Sequence, residues 1–517
     1  MLTRCLCAGL GAFLLTPLLH LALPLAHAQA QSPAADACSR LAQSGLPHVA
    51  VTAAAAVAPG AFSPPGGNGA SSAPFASLAS FCRVQATLTP TPDSDIKMEL
   101  WLPASGWNGR FEGVGGRALG GVIVYPAMAE ALASGYATAS TDTGHAGPGG
   151  AFVVAHPERL VDHGHRAVHE MTVAAERLVA AFYDRAAERS YFNGCSLGGR
   201  QGLAEAQRYP QDYDGIIVGD IANDITRLYA ARLAQHQFAH RSARSALTDT
   251  ALRALDAAAI QACDALDGVR DGVIENPLQC HFDPATVACG APGAPSDCLN
   301  PEQVDTARFL YTPVRRPDTG AVVSNGLMPG SEAGWRAILG PEPERNSVEV
   351  YGYMVFKDPQ WDWHTFQLGA ALTAAQASQL HEIDATNPDL RAFFARGGKL
   401  LMTHGWADPQ TPPLNGLDYY TSVRATVGAR DADSSLRMFM VPGMGHCSGG
   451  VGTDTFDAVR PLASWVERGV APERFDASRL VAARVVRTRP LCAYPKVARW
   501  NGAGDTDTAA NFTCVAP

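Results

Sequence analysis

The chain has no excess of positive charge, no second long apolar run, no paired-cysteine metal motif and no phosphate-binding glycine signature, and each absence closes off a class of function. Forty lysines and arginines stand against forty-nine aspartates and glutamates, for a net charge of −9 and a pI near 5.9. Without a basic footprint, nucleic acid and anionic membrane surfaces are not expected as partners. Beyond residue 28 no stretch approaches the roughly 18 consecutive apolar residues of a membrane-spanning helix. No cysteines are spaced C-x2-C, which argues against a zinc site. The glycine-rich run Gly115-Gly116-Arg117-Ala118-Leu119-Gly120-Gly121 has the spacing of neither a P-loop nor G-x-G-x-x-G. What is left is a small or neutral ligand. With 47% hydrophobic and 17% charged residues over 517 positions, the composition is that of a globular protein with room for several domains.

What is present begins at the N-terminus. Arg4, an apolar stretch from about Leu6 to Leu25 and then Ala26-His27-Ala28 give a signal peptide over residues 1–28. Pro17, His20 and Pro24 interrupt the run and disfavour a membrane anchor. The mature protein is expected to be exported, periplasmic or secreted, with no stable membrane span. Cys5 and Cys7 leave with the signal, and ten cysteines remain: Cys38, Cys82, Cys195, Cys263, Cys280, Cys289, Cys298, Cys447, Cys492 and Cys514. An even number in an exported chain predicts five disulfides. Proximity favours Cys289 with Cys298 and Cys492 with Cys514; counting leaves the rest open.

Ala53 to Ala73, rich in Ala, Pro, Gly and Ser, reads as a surface loop. Strands are expected at Met98–Leu102, Arg110–Val114, Tyr136–Ser140, Arg189–Phe192, Asp214–Gly219, Lys399–Thr403 and Leu436–Val441, with helices over Arg166–Phe182 and Leu197–Tyr209. His163, His165 and His169 cluster near the first helix; H-x-x-x-H without the H-E-x-x-H order is a weak metal signal, and packing histidines are commoner. Between about Ile221 and Asp384 strand-helix alternation gives way to Ala-rich helical runs, polar turns and aromatics, which marks an inserted lid. Inside it, Asp264, Asp267 and Asp271 form D-x-x-D-G-x-x-D-G, a set of hard oxygen donors suited to a structural calcium ion, with Cys263 and Cys280 placed to close the loop. The aromatics of Tyr351–Phe356 and Trp361–His364 read mostly as lid core, with some free to wall an aromatic pocket.

Gly194-Cys195-Ser196-Leu197-Gly198 is a G-x-S-x-G core between a strand and a helix, the pattern of a nucleophile elbow. Asp408 and His446 each follow a strand, and the order Ser196, Asp408, His446 is that of an α/β-hydrolase triad. Ser196 is the expected nucleophile, His446 the base and Asp408 its orienting acid. Leu197 N–H with an N–H of Gly115 or Gly116 would form the oxyanion hole. His404, four residues before the acid, is the rival base, but a triad through it would leave His446 idle. Cys195 precedes the nucleophile and Cys447 follows the base, so a bond between them would tie the two loops.

Gly194-Cys195-Ser196-Leu197-Gly198-Gly199, the distant Asp408 and His446-Cys447 resemble the CS-D-HC motif of the tannase and feruloyl esterase family, over nearly the whole mature chain. The resemblance implies an α/β-hydrolase core over 29–221 and 387–517, with a lid over 222–386 inserted after the elbow. It implies disulfides Cys195–Cys447, Cys38–Cys82, Cys263–Cys280, Cys289–Cys298 and Cys492–Cys514. It implies calcium on Asp264, Asp267 and Asp271 with the carbonyls of Val269 and Val273. The implied substrate is a small ester of an aromatic carboxylic acid, of feruloyl, galloyl or terephthalate-monoester type. Leu197 departs from the polar residue often found after the serine. A serine peptidase on the same triad and a non-catalytic binder of aromatic esters are the alternatives.

Overall fold

The computed structural model describes residues 33–65 and 73–517; the expected signal segment, residues 1–28, lies outside them. A nine-stranded sheet runs through the core: β1 Val49–Val57, β2 Phe81–Leu88, β3 Ile96–Pro103, β4 Arg110–Val114, β5 Ala137–Thr141, β6 Arg189–Cys195, β7 Gly215–Gly219, β8 Lys399–Gly405 and β9 Leu436–Val441. Their order is β1-β2-β3-β5-β4-β6-β7-β8-β9. The pairs from β1 to β2, β3 and β5 are antiparallel, and every pair from β5 to β9 is parallel. Parallel strands require crossovers that cover both faces, so their residues are apolar on both sides. All five residues of β5 and of β7 are buried accordingly.

The period of two sends neighbouring residues to opposite layers. Phe192, Ile216, Val218 and Met402 face a core formed with helices α2 Ala167–Tyr183, α3 Leu197–Arg208 and α8 Pro413–Val427. Tyr191, Ile217, Leu401 and Phe439 face the other layer, with α1 Tyr125–Ala133 and α9 Val459–Arg468. This is an α/β-hydrolase sheet, and the loops at the carboxyl ends of its parallel strands gather at one edge.

Between β7 and β8 the chain forms α4 Ile225–Ala239, α5 Asp249–Cys263, α6 Pro301–Tyr311 and α7 Leu368–Ala377 with short turns. One apolar cluster joins α4 and α7 to Tyr351 and Phe366, and also takes in Leu119 and Leu160 from the sheet loops. A second packs α5 and α6 around Trp335. Most of the aromatics in this stretch thus serve its own core: Tyr351 is buried against Phe366 at 5.7 Å, and Trp361 lies 5.0 Å from Phe356. After the sheet, hairpin strands β10 Arg474–Val481 and β11 Arg484–Cys492 and the pair β12 Val497–Trp500 and β13 Phe512–Val515 finish the chain. Disulfides join Cys38 to Cys82, Cys195 to Cys447, Cys263 to Cys280, Cys289 to Cys298 and Cys492 to Cys514.

One expectation is corrected. Residues 53–57, read as part of a surface loop, belong to edge strand β1, which pairs antiparallel with β2 from Val49–Leu88 to Val57–Phe81. Alanine has little strand preference of its own, and here the ladder to β2, whose other side carries the core, decides the conformation.

Candidate active site

Ser196 ends β6 and opens α3 with φ 61° and ψ −118°, a conformation that L-residues avoid unless their surroundings impose it. Two backbone bonds impose it here: Ser196 N–H donates to Gly219 O at 2.9 Å, and Ser196 O accepts from Arg200 N–H at 3.0 Å. The turn also needs bare backbone, because a Cβ on Gly115 would stand 2.5 Å from the Cα of Gly198. The glycine-rich loop after β4 therefore lies directly against the elbow. Ser196 itself is partly buried.

The loops after β8 and β9 bring the acid and the base to this serine. His446 Nε2 is 2.8 Å from Ser196 Oγ, and His446 Nδ1 is 2.7 Å from Asp408 Oδ2. With Nδ1–H donating to the carboxylate, Nε2 is left to accept the serine proton. Asp408 is fully buried, and its Oδ1 accepts the N–H groups of Gln410 at 2.7 Å and Thr411 at 3.1 Å. Thr411 Oγ1 donates to Oδ2. Burial works to raise this carboxyl, but His446 and His404 outweigh it and hold Asp408 well below the usual carboxylate range. The Cys195–Cys447 bond clamps the residue before the nucleophile to the residue after the base.

His404 does not reach the serine. It is fully buried, with Nε2 bonded to Thr411 O at 2.8 Å, 3.5 Å from Asp408 Oδ2 and 3.8 Å from Asp220 Oδ1. Burial lowers its basicity, and the two carboxylates overcome this and raise it. Its ring lies between these two buried acids, with Nδ1 buried and without a hydrogen-bond partner among the described residues. Asp220, which follows β7, was not foreseen; its Oδ1 accepts from Gly405 N–H at 2.9 Å, and burial pushes its carboxyl up to about 6. The available signal was its place at the carboxyl end of a parallel strand, where Asp408 also stands. Thr411 carried no motif at all.

The oxyanion donors need one correction. Gly115 N–H is committed to Asn193 O at 2.9 Å, continuing the β4–β6 ladder, and is not a free donor. Gly116 N–H donates to Gln201 Oε1 at 2.8 Å, so it serves an oxyanion only on leaving that side chain. Leu197 N–H, first in α3, has no intrahelical acceptor by its position and is the donor the turn offers. The Leu197 side chain is buried, in the direction of Gly116.

The remaining candidates lie elsewhere. His163, His165 and His169 disperse: His163 Nδ1 meets Thr143 Oγ1 at 3.3 Å, His165 bridges Tyr209 and Glu382, and His169 Nδ1 meets Asp212 at 2.6 Å. In the acidic loop, Asp264 Oδ1 accepts from the N–H groups of Asp271 and Gly272, Asp267 Oδ1 from Val269 and Asp271 Oδ1 from Val273. Asp271 Oδ2 is also paired with Arg489 of β11. Burial, and then the charge of Asp271, push the Asp267 carboxyl up to about 6. The donors are all oxygen, as calcium requires, and Arg489 competes for one of them. Among the described residues the three carboxylates are not gathered as a set within 4.8 Å.

Compared with known proteins, the chain matches the family described as tannase and feruloyl esterase over residues 82–515. It is 35% identical to an uncharacterised esterase of Xanthomonas campestris pv. campestris, covering 93% of this chain and 92% of that one. It is 34% identical to the mono(2-hydroxyethyl) terephthalate hydrolase of Piscinibacter sakaiensis, covering 86% of each. The crystal structure of feruloyl esterase B from Aspergillus oryzae superposes with a TM-score of 0.86 at 30% identity, over 93% of this chain and all of that one.

Proposed function

The chain belongs to the tannase and feruloyl esterase family and is a carboxylic ester hydrolase of the serine type; from that premise we propose that it is exported and cleaves esters of aromatic carboxylic acids through an acyl-enzyme. The observation that carries the mechanism is the relay from Ser196 Oγ to His446 at 2.8 Å and from His446 to Asp408 at 2.7 Å. Ser196 Oγ attacks the ester carbonyl while His446 Nε2 takes its proton. The resulting imidazolium is stabilised by Asp408, and the oxyanion by Leu197 N–H, a donor of this kind being worth roughly 3 to 4 kcal/mol. Collapse expels the alcohol, which leaves with the proton from His446. Water activated by the same histidine then attacks the acyl-serine, releasing the acid and restoring the hydroxyl.

The aromatic-acid preference rests on the names of the relatives, which act on feruloyl and terephthalate esters. Export is supported by the five disulfides, which persist in oxidising compartments. Among the described residues no helix is long and apolar enough to cross a membrane. Calcium, if it binds the lid loop, would be held by Asp264 and Asp267 with the carbonyls of Val269 and Val273, and by Asp271 in exchange for Arg489. The ion would supply structural cross-linking and no catalytic step.

The test is fluorophosphonate labelling combined with turnover of methyl ferulate, methyl gallate and a terephthalate monoester. Labelling at Ser196, lost in Ser196→Ala, with acid released from at least one of the three is the expected result. Turnover of peptides without esters would replace this reading with a peptidase, and saturable binding of the esters without labelling would replace it with a binding protein.

A further inference from the structure

The sheet face covered by α1 and α9 is interrupted by a cavity of about 480 Å³ that the ester chemistry does not use. Five carboxylates line it, those of Glu112, Glu130, Asp220, Asp454 and Asp457, and no lysine, arginine or histidine does. Glu112 is the unexpected member. It occupies an interior position of β4, opposite Thr138 on β5 and Tyr191 on β6, where a parallel strand ordinarily carries an apolar side chain. It is only 3% exposed. Its Oε1 takes one long hydrogen bond, 3.4 Å from Asn193 Nδ2, and its Oε2 has no hydrogen-bond partner among the described residues. The neighbouring Thr138 hydroxyl is buried without a partner as well.

A buried carboxyl group avoids the cost of an unpaired charge by staying protonated or by taking up a cation, and an ammonium group at this site would draw Glu112 into its ionised form. Burial, opposed by Asn193 and reinforced by the charges of Glu130 and Asp457, pushes the Glu112 carboxyl up to about 8. At the mouth Asp457 already holds Arg460 at 2.7 Å, and Asp454 accepts from Gly449 N–H at 2.7 Å. Glu130, exposed on α1, makes no ion pair or side-chain hydrogen bond among the described residues, and only the charge of Arg117 reaches it from nearby.

We propose that this cavity is a binding site for a small aliphatic diamine, with one ammonium group on Glu112 at the floor and the other on Glu130 at the mouth. A bare metal ion fits the site less well. Among the described residues, neither Glu112 nor Glu130 belongs to a group of three metal-ligating side chains whose donor atoms lie within 4.8 Å of one another. The volume is that of a small-molecule pocket, with room for a short carbon chain between two charged ends. The Cys195–Cys447 bond and Asp220 form part of the wall, so an occupant would lie behind the nucleophile's turn without entering the ester site.

The experiment is calorimetric titration of the full chain with 1,4-diaminobutane, with 1,4-butanediol as the neutral isostere. Saturable one-to-one binding of the diamine is expected, weakened at least tenfold in Glu112→Gln and about threefold in Glu130→Gln, with no binding of the diol. Ala127→Trp, which fills the cavity from α1 and replaces none of its carboxylates, is expected to abolish binding while ester turnover persists. This variant keeps the test decisive if Glu112→Gln fails to fold. Absence of saturable binding, binding undiminished in Ala127→Trp, equal uptake of the diol, or Glu112-dependent binding of calcium in place of the diamine would overturn the proposal.

Discussion

Asp408 lies between two imidazoles, and only His446 also touches the nucleophile. His404 faces both Asp408 and the second buried acid, Asp220, and with His446 it holds the Asp408 carboxyl low, so that Asp408 stays ionised and oriented while His446 cycles through its charged form. Asp408→Asn keeps the shape and loses the charge; kcat should fall by about 10³ to 10⁴ with KM little changed, measured on whichever ester the wild type turns over. Glu112 sets a pH dependence of the opposite kind to a salt-bridged acid. Its native value of about 8 lies above the ordinary 4.5, chiefly through burial. The protonated form is favoured in the folded state, so its contribution is complete below the unfolded value and lost as pH rises through about 8. The loss is on the order of 5 kcal/mol at most. Thermal unfolding from pH 5 to 9 should show the wild type losing stability over this window and Glu112→Gln losing less. Ser196, Asp408 and His446 were legible because each follows a strand in a fixed order. Asp220, Thr411 and Gln201 were not, because their contacts span from 3 to 185 residues and no spacing encodes them.

The turn after β6 and the loop after β9 are held by the sheet from below and by the Cys195–Cys447 bond from the side. Closing a loop of 252 residues stabilises a fold by about 5 kcal/mol in the chain-entropy model. Replacing both cysteines by alanine should lower the urea midpoint and also kcat, since the elbow and the base loop would no longer be fixed to each other. A lower midpoint with unchanged kcat would confine the bond to stability. The strands themselves were readable: β9 falls on the predicted residues, and β6 and β8 extend the predicted ones by three and two. β1 was not readable, because alanine carries no alternation to read and its conformation comes from the partner strand. The donor role of Gly115 failed for a related reason, since the ladder continues one residue past the strand and takes its N–H.

Across the whole molecule, the lid's acidic loop and the C-terminal hairpin meet where Arg489 and Arg487 approach Asp271. If calcium occupies that loop, chelation should lower the melting temperature, and added calcium should restore it by mass action on the native state. An unchanged melting curve would leave Arg489 and Arg487 as the loop's counter-ions. That the sheet is interrupted between β7 and β8 was legible in the loss of strand-helix alternation, whereas the insertion's shared core with Leu119 and Leu160 was not, since long-range packing leaves no local pattern.

The bond between Cys195 and Cys447 has a topological consequence for that lid. The whole lid lies within one covalent ring, so a single protease cut inside it opens the ring without parting the pieces. Limited proteolysis confined to the lid should give one species on a non-reducing gel and two after reduction, with serine and histidine still joined before the reductant is added. A nicked enzyme of this kind keeps its catalytic groups on one molecule, and loss of its activity on nicking would measure the lid's contribution separately from that of the triad.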